Sequence, residues 1–332
     1  MGVYDPAFSR GFDVLSEQTD EQAFERLVKA SSGPNIAELF ATKLYTGNGS
    51  TQTINNGINL AAGGRVWLKS RSSASDHALF DTARGGFYPL KSNTTDAQAF
   101  ENPPLTFGTS GFSLTSLGNG NTQSYVAWSF KDAPRFTSTH LVSHTNGTAT
   151  NIDLSALGTV GMVVAKTTMG TGFWWVYHRA LAVGHTILRN STDPAGASSF
   201  SMTVTGTTVT LPAAFASDTY IIEAYAHDTA SDGAIQCGSY VGNGSTTGPV
   251  IDLGWEPQFI LAKNATGTGN WWMLDTARVS GSNEAVLFPN LTNAESSLDV
   301  VSWLSTGFQP VISQAAYNGA SQTYIYMAIR KP

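Results

Sequence analysis

The sequence predicts an all-β fold: three tandem β-sandwich repeats of about 97 residues, jelly-roll or lectin-like, behind a short N-terminal helical segment. Three observations predict it. Charged residues make up only 13% while Gly, Ser, Thr and Asn abound and aromatics reach 11%, a texture of strands and turns rather than helices. Landmarks recur at a fixed spacing along the chain. Between them lie β-branched and aromatic runs of strand length, separated by Gly/Ser/Thr/Asn clusters.

The period is read from several motifs at once. Asp-Thr-Ala-Arg occurs at Asp81–Arg84 and again at Asp275–Arg278, and the midpoint between the two aspartates is His178. Trp174 and Trp175 fall on Trp271 and Trp272 at the same spacing. Lys69, Lys166 and Lys263 are each 97 apart, and Asn48, Asn146 and Asn243 stand in register in "YTGNGS", "SHTNGT" and "YVGNGS". The segments "LKSNTTDAQ", "LRNSTDPA" and "FPNLTNAE" align at Asn93, Asn190 and Asn290. A catalytic pair would not carry its flanking turns and strands along at one period, so the repetition reads as a structural unit. The boundaries are 40–132, 133–230 (the divergent copy, which has lost Asp-Thr-Ala-Arg) and 231–332. Asn-Gly in each unit is a strong hairpin signal, because both residues tolerate positive φ.

Residues 1–39 differ. Thr19 and Gln22 form a capping box, Phe24, Leu27 and Val28 share a helical face, and Gly33-Pro34 stops the helix. Residues 1–40 hold a net charge of −4 out of −6 for the chain, and this acidic helix is expected to pack on the first unit, on a symmetry mate or on a docking partner.

Composition excludes several classes. No run of Lys or Arg offers a phosphate-tracking surface, so no nucleic-acid partner is expected. The single cysteine, Cys237, permits neither an internal disulfide nor a thiolate metal cage. "MGVYDPAFSRG" lacks the apolar core of a secretory signal and fails the myristoylation pattern, and no apolar run is long enough to span a bilayer. The expectation is a protein made in a cytoplasm, without membrane insertion. No paired carboxylates recur as a glycosidase requires, and no nucleophile elbow, P-loop or zinc-protease motif occurs. No enzyme, metal or cofactor is expected. His140 and His144 have metal-like spacing only on a helix, and their Val/Thr/Ser-rich setting reads as a strand. The Asn-x-Ser/Thr sites read as turn chemistry.

The candidate binding residues are Trp67, Trp174 and Trp271, as flat platforms for a sugar ring, with Arg84 and Arg278 as presenters to an anionic ligand. Against this stands a structural reading: adjacent tryptophans on a strand point to opposite faces, one into the core and the other under cover of a neighbour. The Asp-x-x-Arg sequence closes on itself in a turn, the preferred reading there. A simple hairpin pairs Lys69 with Ala78 and Asp81 with Val66, which keeps lysine and aspartate about 10 Å apart. The lysine stems are expected along apolar surface with their heads in water.

The set "YTGNGS … VWLKS … LFDTARG … LKSNTTDAQ … GFSL … YVAWSF", matched again in "WWMLDTAR", "STGF" and "TYIYMAIRKP", resembles a repeat seen in tail- and fibre-associated virion proteins of tailed bacteriophages. The likeness covers the three units and not residues 1–40. It implies a β-sandwich virion component, made in the host cytoplasm and built into the particle as a tail fibre or tail-tip piece with a host-surface glycan attachment role. It implies partners among other virion proteins, reached through residues 1–40, a homo-oligomer of trimeric type, and contact with host polysaccharide. It carries no catalytic residue. The alternatives are an architectural head-decoration, collar or baseplate subunit, and a polysaccharide-degrading tailspike.

Overall fold

The computed structural model describes residues 33–332, and the capping-box helix with its docking role lies outside them. The described chain is all-β, in antiparallel sheets, with one short α-helix, Ile36–Leu39, leading into the first strand and three single-turn 3-10 helices between strands. Among the described residues no helix is long and apolar enough to cross a membrane. Eight strands fall within residues 34–132, nine within 133–230 and nine within 231–332, here called the first, second and third lengths.

Each length contributes one large and one three-stranded sheet, the third adds a two-stranded one (Glu284–Val286 with Ser296–Leu298), and the strand order of the large sheets recurs. In the first length Phe40–Thr46, Ser124–Lys131, Gly64–Ser70, Ala78–Asp81 and Gly85–Leu90 lie side by side in that order. The second follows the same path with Thr137–His144, Asp218–Ala226, Val160–Thr167, Trp175–His178 and His185–Leu188. The third follows it with Ile235–Val241, Thr323–Arg330, Pro257–Asn264 and Trp271–Asp275. Register is common too: Lys69 pairs with Val126, Lys166 with Ile221 and Lys263 with Ile325.

Both faces of the central strands are buried, which is why Gly64–Ser70 and Val160–Thr167 expose no residue. Alternation assigns the faces. Val66, Leu68, Phe80 and Ala127 pack with Ile54, Phe112 and Leu114 of the first length's small sheet. Trp67, Leu79, Val126 and Trp128 point the other way, into a core shared with Val163, Trp174 and Ile222 of the second length and Phe259, Leu261 and Trp271 of the third. The adjacent tryptophans obey the same rule: Trp271 enters the shared core and Trp272 the third length's own.

The lengths are stitched head to tail by one repeated pattern of main-chain bonds. Gly172 N–H donates to the Thr95 carbonyl at 2.8 Å, Gly269 to Thr192 at 2.9 Å, and Ser75 to Thr292 at 2.8 Å. Gln98 donates to Thr168 at 2.9 Å, Ala195 to Ala265 at 2.8 Å, and Glu295 to Arg71 at 3.0 Å. The third set in each case runs from the last length back to the first, or from the first to the last, so the seams close a ring. The Asn-x-Thr motif builds each seam. Asn93, Asn190 and Asn290 accept the main-chain N–H of His77, Trp174 and Trp271, all at 3.1 Å, and the threonine two residues on offers its carbonyl to the next length.

Candidate ligand-binding site

The structure places the sequence-derived candidates inside the protein. Trp67 is 3% exposed, Trp174 0% and Trp271 1%, so the expectation of three flat platforms is corrected. The cause is the shared core: a strand covered on both faces has no solvent side. Each indole N–H has a partner, as a buried donor requires. Trp67 donates to His77 Nδ1 at 2.8 Å, Trp174 to the Lys91 carbonyl at 3.0 Å and Trp271 to the Leu188 carbonyl at 2.8 Å.

The arginines are held by their own turns. Arg84 Nε donates to Asp81 Oδ2 at 2.7 Å, and its terminal nitrogens reach the carbonyls of Tyr88 and Leu79. Arg278 Nε donates to Asp275 Oδ2 at 2.7 Å and lies over Trp128 at 5.3 Å, with the Trp128 indole N–H on the same carboxylate at 2.9 Å. The turn reading accounts for both, in place of an anion site. The hairpin register is shifted by one from the expected pairing: Asp81 faces Arg65 and Leu68 faces Ala78.

The three lysines are buried, which corrects the reading that put their heads in water. Lys69 Nζ donates to the carbonyls of Ser70 and Ser73, at 2.8 and 3.3 Å. Lys166 reaches Thr167 and, across the seam, Thr95. Lys263 reaches Asn264 and, across the seam, Thr192. Burial pulls each ammonium down to about 8 from its usual range near 10.5. Their parity with Trp67 turns them toward the seams, where main-chain carbonyls replace water. His140 and His144 lie on one strand and bond to Ser138 and Thr150 respectively.

The surface of the first length carries what the sequence reading missed. Phe87, Tyr88 and Phe100 are 40%, 37% and 64% exposed and touch one another, with Phe87 and Phe100 stacked at 5.5 Å and nearly parallel. Main-chain bonds hold the two segments together, Glu101 N–H to the Phe87 carbonyl at 2.7 Å and Ala99 N–H to that of Pro89 at 3.4 Å. The signal was the adjacent Phe-Tyr of "GFYPL", where the second length has Gly184-His185 and, at the place of Phe100, Ala197.

Pro89, Ala99 and Glu101, the chain neighbours of that cluster, line a cleft of about 590 Å³. Its floor includes Leu68, Ala78 and Tyr125, and its polar groups include Lys69, Asp76, Lys91 and Asp96. Asp76 and Lys91 form an ion pair at 2.8 Å, and this bond, with that of Asn93, holds the Asp76 carboxyl below its usual range. His77 also lines the cleft, but both ring nitrogens are used: Nδ1 accepts from Trp67, and Nε2 meets the Phe288 carbonyl at 3.0 Å. Burial pushes its pKa down to about 3, so the ring stays neutral and offers no free nitrogen for proton transfer. The arrangement supplies flat apolar faces beside carboxylate acceptors and ammonium donors, the elements of a binding surface.

Comparison with curated proteins finds no match for the chain. A family model described as a domain of unknown function, DUF7483, matches residues 35–332, from the short leading helix to the last residue. All three lengths thus fall within one family unit, and the chain belongs to the DUF7483 family.

Proposed function

We propose that the protein is a non-enzymatic virion component of a tailed bacteriophage, a tail fibre or tail-tip piece that attaches to glycan on the host surface. In this reading the chain is one β-sandwich module written three times and closed on itself. The common strand order, the common register at the three lysines and the three matching seams support that description. The phage assignment rests on the motif resemblance described above.

The observation that carries the attachment role is the exposed cluster of Phe87, Tyr88 and Phe100 beside a cleft rich in carboxylates and ammonium groups. Stacked aromatic rings at a surface offer broad apolar faces, and adjacent charged side chains bond hydroxyls; together they match the CH faces and hydroxyl rim of a sugar. The buried tryptophans serve the ring, and the exposed aromatics serve the ligand.

The test is pull-down of purified protein by surface polysaccharides extracted from candidate host bacteria, with immunogold labelling of phage particles alongside. Retention on polysaccharide and label at the tail support the reading. Label on the particle with no polysaccharide or cell binding would favour the architectural subunit, and reducing ends released from the polysaccharide would favour the tailspike.

A further inference from the structure

The cleft of the first length lies where the other two lengths are filled with aromatic rings. The residue before the seam lysine pairs across the sheet with Ala78 in the first length, Trp175 in the second and Trp272 in the third. A second position shows the same contrast. Tyr45 Oη donates to the Gly118 carbonyl at 2.7 Å, and Tyr240 Oη to the Tyr317 carbonyl at 2.5 Å, so Gly118 stands where the third length has Tyr317. Trp272 and Tyr317 pack at 5.5 Å, and in the second length Trp175 and Phe215 lie 6.0 Å apart. Both large residues are therefore missing from the first length, and Ala78 and Gly118 line the opening that is left.

Leu68 takes part of the space, since its counterparts are Ala165 and Ala262. The rest stays open, about 590 Å³, within the range of small-ligand sites. Gly118 guards it. Its φ is +79°, which strains any larger residue, and a Cβ there would meet Leu68 Cδ1 at 2.8 Å and have to push that methyl aside. An opening ringed by Asp96, Glu101 and Lys91 does not suit a bare aromatic ring, which would strip water from charges and return no hydrogen bond. A ring with apolar faces and a hydroxyl edge suits it.

We propose that this cleft seats one pyranose ring, in the place that aromatic side chains occupy in the other two lengths. Leu68, Ala78 and Tyr125 meet the ring's CH face, and Asp96, Glu101 and Lys91 bond its hydroxyls. The inference rests on the attachment reading and locates its specific site in the first length alone.

The test uses Leu68→Ala/Ala78→Trp, which copies the pair that both other lengths already carry, so that the added indole fills the cleft while the smaller residue 68 makes room for it. Saturation-transfer NMR is run on the full chain with glucose, galactose, rhamnose and N-acetylglucosamine as probes, and polysaccharide affinity is measured in parallel. The expected result is transfer to the ring protons of at least one sugar, abolished in the variant, with polysaccharide affinity lowered tenfold or more. Circular dichroism and an unchanged unfolding midpoint verify folding, and Glu101→Gln, which keeps the shape, is expected to weaken transfer as well. No transfer from any probe, or transfer equal in the filled variant, overturns the proposal. Polysaccharide binding that survives filling but is lost in Phe87→Ala/Phe100→Ala also overturns it, while leaving the attachment reading standing. Sugar transfer that filling abolishes, in a protein that binds no polysaccharide, upholds the cleft and overturns the attachment reading instead.

Discussion

The indole N–H of Trp271 donates to the main-chain carbonyl of Leu188 at 2.8 Å, joining two lengths of chain across a seam. Trp174 does the same to Lys91 at 3.0 Å, and at the third seam His77 places its Nε2 on the Phe288 carbonyl at 3.0 Å. A histidine thus stands in for tryptophan where the ring closes. Trp271→Phe removes the donor and leaves the carbonyl only the 3.4 Å bond from Ser191 N–H, at a cost of about 1 kcal/mol. Trp271→Ala also opens a cavity and costs about 3–5 kcal/mol. Because the core is shared by all three lengths, urea denaturation of either variant is expected to show one earlier transition. Two separated transitions would mean that the lengths unfold independently.

The histidines at the seams set an acid limit. His178, like His77, uses both ring nitrogens: Nδ1 accepts from Ala180 N–H at 3.2 Å, and Nε2 lies 3.0 Å from the Tyr326 carbonyl. A second proton would place N–H against N–H, and burial lowers the pKa to about 3 at His77 and about 4 at His178. Below the ordinary value near 6.5 the unfolded chain binds protons that the folded one refuses. Stability is therefore complete above pH 6.5 and falls as pH drops toward 4, by about 3 kcal/mol per ring. His140 and His227, also lowered by burial, act in the same direction. Urea midpoints measured from pH 7.5 to 4.5 are expected to fall, and to fall less in His77→Gln/His178→Gln.

Arg189 and Glu223 form a buried bidentate pair, 2.6 and 3.2 Å, with Tyr225 Oη on the same carboxylate at 3.1 Å. The guanidinium lies 3.8 Å over the Trp174 ring. Arg189→Met leaves Glu223 charged and unpaired, and is expected to cost about 3–5 kcal/mol in thermal or urea unfolding. Adding Glu223→Leu removes the stranded charge, and the double variant is expected to recover most of that loss. A double variant no more stable than the single one would show that the ion pair is not what holds this part of the core.

Some positions were legible because like pairings carry like letters: Lys69, Lys166 and Lys263 hold one strand position in each length, and Asn93, Asn190 and Asn290 each accept a main-chain N–H beside a seam. The Asp-x-x-Arg turns were legible because their partners are three residues apart. The burial of Trp67, Trp174 and Trp271 was not, since strand alternation supplies one covered face and only the closure of three sheets covers the second. The same gap hid the carbonyls that Lys166 and Lys263 reach across the seams, Thr95 and Thr192, which belong to the preceding length. Asn119 and Asn318 were missed for a related reason. Each spans about 70 residues to bond Asn48 or Asn243, and their spacing departs from the period. The candidate site was hidden because its marks are differences between the lengths, Phe100 against Ala197 and Ala78 against Trp175 and Trp272, whereas a recurring motif is visible only where residues are alike.

Glycan attachment through the exposed aromatic cluster is tested most directly by the binding of fluorescently labelled protein to an array of bacterial surface polysaccharides, wild type beside Phe87→Ala/Phe100→Ala. These side chains are exposed, so the variant is expected to fold as the wild type does. Retention on a restricted set of glycans, reduced at least tenfold in the variant, is the expected result. An array that the wild type leaves blank, or equal retention of both proteins, would contradict it.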